Sequence, residues 1–98
     1  GTDTVSSFTG ISGNSEILVW SIYPNPALAE FTIDLMLEEK ENVLLTVYNT
    51  LGEIVYLNNL NNVDRVKNKV VTEKWLPGIY FIEIRSDLKN LITRIVIN

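Results

Sequence analysis

The sequence predicts an all-β domain, an immunoglobulin-like antiparallel β-sandwich of about seven strands. Three observations predict it. Short apolar or alternating segments follow one another at close spacing between Ile17 and Ile97. Clusters of Gly, Pro, Asn and Asp punctuate them. No segment holds a helical apolar period for a useful length: "ALAEF" (27–31) has room for one turn, between Pro26 and the strand that follows.

The elements read in order. Residues 1–16, "GTDTVSSFTGISGNSE", are rich in Ser, Thr and Gly and lack periodicity, so they read as a flexible linker or arm. Residues 17–98 form the sandwich. Ile17–Tyr23 is a nearly continuous apolar run. Phe31–Leu37 alternates, with Phe31, Ile33, Leu35 and Leu37 on one face. "EEKEN" (38–42) reads as a charged turn. Val43–Tyr48 follows, with Val43, Leu45 and Val47 on one face. Glu53–Leu57 is a short strand and "NNLNNVD" (58–64) a loop. Val66–Lys74 is polar and mixed, an edge strand whose lysines discourage pairing with other chains. Ile79–Arg85 and Leu91–Ile97 close the series.

The turns carry their own chemistry. In Asn49-Thr50-Leu51-Gly52, Asn suits the first turn position and Gly52 the positive φ of a type I turn with a bulge. In Leu76-Pro77-Gly78, Pro77 sets φ at one corner and Gly78 takes φ > 0 at the next, a type II pattern. Tyr23-Pro24-Asn25-Pro26 differs. Its prolines offer no N–H to a ladder and keep Tyr23 and Asn25 out of the helical region. It stops a strand without starting a helix, a stiff kink between sheets, and the Asn25 side chain can bond nearby backbone in place of lost ladder bonds.

Composition narrows function. The 98 residues make one domain, and the net charge of −4 argues against nucleic acid. Residues 1–49 hold seven acids and one base, residues 50–98 five acids and seven bases, which reads as two differently charged edges of one solvated surface. With no cysteine and no histidine, there is no disulfide, no thiol nucleophile, no thiolate metal site and no Ser–His–Asp triad, and the commonest general base and metal ligand is missing. No apolar run reaches the ~18 residues of a membrane span. No signal peptide opens the chain, and an initial Gly suggests a piece of a longer protein. Glu38, Glu39 and Glu41 read as a solvated hairpin tip rather than a cation site. Ser21 and Ser86 are the only serines outside the arm that a Ser–Lys dyad could use. Trp20 reads as core, and Trp75 as the exposed aromatic on which a sugar would stack. The residues therefore give no catalytic, cofactor-binding or metal site, no cofactor and no enzyme. A carbohydrate-binding or adhesin-type immunoglobulin-like accessory module stays open.

The order of the motifs adds to this. "YPNP", "FTIDL", "LTVYNTLGEIV", "LPGIYFIEI" and a terminal strand of a base followed by aliphatics resemble the type A C-terminal sorting domain of type IX (Por) secretion system cargo proteins, from about Ser21 to Asn98. The resemblance implies an immunoglobulin-like sandwich that directs an N-terminal cargo domain through the outer-membrane translocon. It also implies removal by a sortase-like processing peptidase, cutting in the linker before the first strand. The protein would pass the periplasm and end at the cell surface or outside the cell. Pro24, Asn25 and Pro26 match the family's first motif, Gly52 the second, and Gly78 and Tyr80 the third. Arg94, Ile95, Val96 and Ile97, with Asn98 after them, match the strand associated with translocon recognition; Arg94 stands where Lys is common. From the residues alone, this terminal strand has a sheet edge to which a receptor strand could add, with Arg94 as a directional charge.

Overall fold

The computed structural model describes residues 17–87 and 89–98, with side chains from residue 19 onward. The expected linker, residues 1–16, lies outside the described residues. The described chain is all-β and antiparallel, with five strands: β1 (Ile17–Tyr23), β2 (Glu30–Tyr48), β3 (Ile54–Val71), β4 (Gly78–Arg85) and β5 (Asn90–Ile97).

Two strands run on where the sequence suggested breaks. The expected strands 31–37 and 43–48 are halves of β2, and the expected loop 58–64 lies within β3. The architecture is thus one five-stranded curled sheet rather than a seven-stranded sandwich. The reason lies in the pairing. Between Met36 and Glu41 the β2 register slips against Arg65 and Val63, so the charged residues 38–40 bulge into solvent without ending the strand. Opposite them, Asn62 takes a left-handed φ of 57°. Polarity marked these stretches as turns, and a bulge accommodates polarity equally well.

β2 is the shared element. β3 pairs along one side of it; on the other side β1 pairs with its first half and β4 with its second, and β5 pairs with β4. The sheet curls hard. Asn58 and Asn68 both belong to β3, yet Asn58 Nδ2 donates to Asn68 Oδ1 at 2.6 Å. In a straight strand ten residues span roughly 33 Å, so β3 turns back until its two inner faces meet. Asn68 Nδ2 also donates to the Tyr56 hydroxyl at 2.9 Å, which completes a polar bridge across the fold.

The core fills this concavity. Phe31, Ile33, Leu35, Leu37, Val43, Leu45 and Val47 of β2 are all buried, and all share one parity. Val66 and Val70 meet them from β3, Tyr80, Ile82 and Ile84 from β4, and Ile95 and Ile97 from β5. The two faces expected separately for 31–37 and 43–47 are therefore one continuous face. On the outer surface, acids of β2 meet bases of β3. Arg65 pairs with Asp34 at 3.3 Å and Lys69 with Glu30 at 3.5 Å. Part of the charge asymmetry along the chain is neutralised internally, by exposed pairs that each contribute little.

Candidate functional site: the terminal strand and the segment that closes its edge

β5 pairs with β4 on one side: Gly78 faces Ile97, Tyr80 faces Ile95 and Phe81 faces Arg94. Its other side meets the chain just after β1. The Ala27 N–H donates to the Val96 carbonyl at 2.8 Å, and the Asn98 N–H donates to the Ala27 carbonyl at 2.8 Å. Ala27, fully buried, thereby forms a parallel bridge with Ile97. Asn25 extends the contact with its side chain. Its Oδ1 accepts the Val96 N–H at 3.1 Å, and its Nδ2 donates to the Arg94 carbonyl at 3.5 Å.

This answers what the prolines are for. The Tyr23-Pro24 and Asn25-Pro26 bonds are both cis. Between residues that cannot donate, Asn25 supplies an amide that imitates a backbone unit. The expectation that this side chain would bond backbone was right, but its partners lie 69 and 71 residues away rather than nearby. The expected free edge is corrected too. From the Arg94 carbonyl to the Asn98 N–H, the backbone groups that point away from β4 are already taken by residues 25–27. The closing bonds begin at the Arg94 carbonyl and leave Ile92 outside them.

The matched positions gather at one end. By register, the end of β2 at Tyr48, the start of β4 and the end of β5 lie together, with Ala27 beside them. That brings Pro24, Asn25, Pro26, Gly52, Gly78 and Ile97 to the same end of the sheet. Gly52 closes the β2–β3 turn with φ 84°, its N–H donating to the Asn49 carbonyl at 3.0 Å. Asn49 Oδ1 accepts the N–H groups of Leu51 and Glu53, each at 2.9 Å, and the register slips beside it at Val47/Tyr48. This is the expected turn and bulge. Gly78 takes the expected positive φ, 148°. The hydrogen-bonded turn falls earlier than expected, the Trp75 N–H donating to the Thr72 carbonyl at 3.0 Å. Tyr80 is buried, and its hydroxyl reaches back to donate to the Leu76 carbonyl at 2.6 Å, fastening that turn to β4. Arg94 is exposed, Ile95 and Ile97 are core, and Val96 is half-buried on Arg94's face.

Two tryptophans exchange their expected places. Trp20 is 38% exposed. Trp75 is half-buried, edge-on to Phe31 at 6.2 Å and tilted against Tyr80 at 5.0 Å. The reason is position: β1 flanks the sheet and covers one side of β2 only, whereas the turn before Gly78 folds over the core. The Ser86 hydroxyl is taken up by the β4–β5 turn, accepting the Lys89 N–H at 3.1 Å.

Two acids went unread. Glu41, expected in solvent, is only 5% exposed, and its Oε1 accepts the Asp87 N–H at 3.1 Å. It shares the parity of Val43, Leu45 and Val47, the one signal that pointed inward. Glu83 is 8% exposed on the opposite face. It accepts the Tyr48 hydroxyl at 3.0 Å and pairs with Arg85 at 2.9 Å. Burial pushes its carboxyl up, but hydrogen bonds from Tyr48, Arg85 and Asn90 and the Arg85 charge outweigh this and leave it below the usual carboxylate value. The same bond, with desolvation and the Glu83 charge, raises Tyr48 above the usual phenol value.

An antiparallel curled sheet whose early segment closes its last strand defines a small all-β module with its motifs at one end. Residues 21–98 match the family described as the secretion system C-terminal sorting domain, and the chain belongs to that family. No curated protein matches the chain significantly. Membership makes the domain a C-terminal sorting signal for type IX secretion, carried on a larger cargo protein destined for the cell surface or the medium. Among the described residues there is no helix long and apolar enough to cross a membrane.

Proposed function

We propose that the domain acts without catalysis as a folded address. The outer-membrane type IX translocon takes the cargo from the periplasm by this domain, and a sortase-like peptidase then cuts within residues 1–16. The observation that carries this reading is the meeting of the family's first and last motifs, Asn25 on the backbone of Arg94 and Val96. It gives the terminal strand a fixed shape for a receptor to read. Arg94, Ile95, Val96, Ile97 and Asn98 form the recognised strand, while Pro24, Asn25, Pro26, Gly52, Gly78 and Tyr80 hold it in place.

The test is export of a reporter. A signal peptide and a fluorescent protein precede residues 1–98 in a host with the type IX system, beside a version lacking Arg94–Asn98. Surface or medium fluorescence only with the intact end is the expected result. Periplasmic retention of both would refute the reading. Equal export of both would show that the terminal strand is not what is read.

A further inference from the structure

We propose that the partner meets the terminal strand on its exposed face, over a patch shared by β4 and β5, and that this partner offers a carboxylate set in apolar surface. The proposal rests on the sorting reading above and specifies its contact.

The first ground is the closed edge. A receptor strand adding along Arg94–Asn98 would have to displace Asn25 and Ala27 from four backbone groups. The outward side chains need no such displacement. The second ground is what those side chains are. Ile79 lies beside Val96 and Phe81 beside Arg94, and Ile92 is the next residue of β5 on that face. Ile79 is 41% exposed, Phe81 37% and Ile92 64%. Large apolar side chains standing together in water mark an interaction surface more than isolated ones do.

The third ground is charge. Arg85, on the same face, is paired with Glu83. Arg94, in the middle of the patch, has no acidic partner among the described residues. A guanidinium flanked by apolar side chains suits a carboxylate delivered by a partner surface that also covers Phe81 and Ile92, because the fork geometry gives direction and the apolar rim excludes water. A second copy of the chain fits poorly. Face to face about a two-fold axis through the patch, it would bring Arg94 against Arg94 in an apolar setting.

The experiment uses the reporter carrying the full chain. Phe81→Thr and Ile92→Thr keep a strand-forming residue while removing the apolar surface. Arg94→Gln removes the charge and Arg94→Lys keeps it. Val71→Thr, exposed on the other half of the sheet, is the control. Thermal unfolding of each purified domain establishes folding, and Ile92, the most exposed of the patch, serves where Phe81→Thr unfolds.

The expected result is export lowered about tenfold in Phe81→Thr, Ile92→Thr and Arg94→Gln, the factor that 1.4 kcal/mol of lost binding produces. Arg94→Lys retains more export than Arg94→Gln, and Val71→Thr is unaffected. A wild-type chain that exports while the folded patch variants export equally well would overturn the proposal and leave the sorting reading standing. A wild-type chain that is not exported would overturn both. Dimers in light scattering that Ile92→Thr dissolves would assign the patch to a second copy and overturn it as well.

Discussion

Replacing Asn25 by alanine removes the two side-chain bonds to β5 and leaves both Ala27 backbone bonds. The 3.1 Å bond from the Val96 N–H is well formed, whereas the 3.5 Å bond to the Arg94 carbonyl is at the limit of the interaction. A net hydrogen bond contributes about 0.5–1.5 kcal/mol, and water can reach this exposed site, so the loss should be about 1–1.5 kcal/mol. For a domain of this size each kcal/mol moves the midpoint by about 4–8 °C, so Tm should fall by about 5–10 °C. Circular dichroism measures the midpoint. Amide hydrogen exchange localises the effect: Val96 should lose protection, while Ile82 in the middle of β4 changes only with global stability. Asn25→Asp keeps an acceptor for Val96 and should lose less. An unchanged Tm with unchanged exchange at Val96 would refute the claim that Asn25 holds the terminal strand.

Three further expectations follow from the same geometry. Tyr80→Phe deletes the 2.6 Å bond to the Leu76 carbonyl and should cost about 1 kcal/mol in urea unfolding, with Trp75 fluorescence reporting the loosened turn. Gly52→Ala meets no atom within 4 Å, so its cost should be backbone strain alone at φ +84°, about 1–2 kcal/mol, and Gly52→Asn should cost less. Stability should form a plateau in pH. Glu83, held below its usual 4.5, contributes stability above the ordinary carboxylate range that is lost as pH falls through the lowered value. Tyr48, held above 10.0, contributes below pH 10 and loses it as pH rises through the raised value. Glu83→Gln should flatten the acid limb of Tm against pH, and Tyr48→Phe the alkaline limb; unchanged limbs would remove the pair from the account.

Much of this was legible locally. Alternation placed Phe31, Ile33 and Leu35 in the core, and Asn49 with Gly52 announced the turn that forms. What failed was continuity. Charged residues 38–40 resemble a turn because exposure and bulging leave the same polar signature, and nothing local distinguishes them. Asn58 and Asn68 read as loop and edge residues because their bond exists only once β3 has curled. Glu41 is similar: the acids beside it argue for solvent, and the Asp87 N–H that donates to it comes from a turn 46 residues later. The site was read as motifs in series. Local sequence gives Asn25 a side chain able to bond nearby backbone, but the backbone it meets is decided by the topology that carries β5 past residue 27.

The parallel bridge between Ala27 and Ile97 has a mechanical side. Tension applied from the amino side of residue 25 and the carboxyl side of residue 97 slides two same-direction segments past each other. The four bonds at Asn25 and Ala27 then bear load together in shear, whereas antiparallel neighbours pulled from one end would part bond by bond. Force that reaches residues 25–27 from the cargo side would be met by this junction in shear.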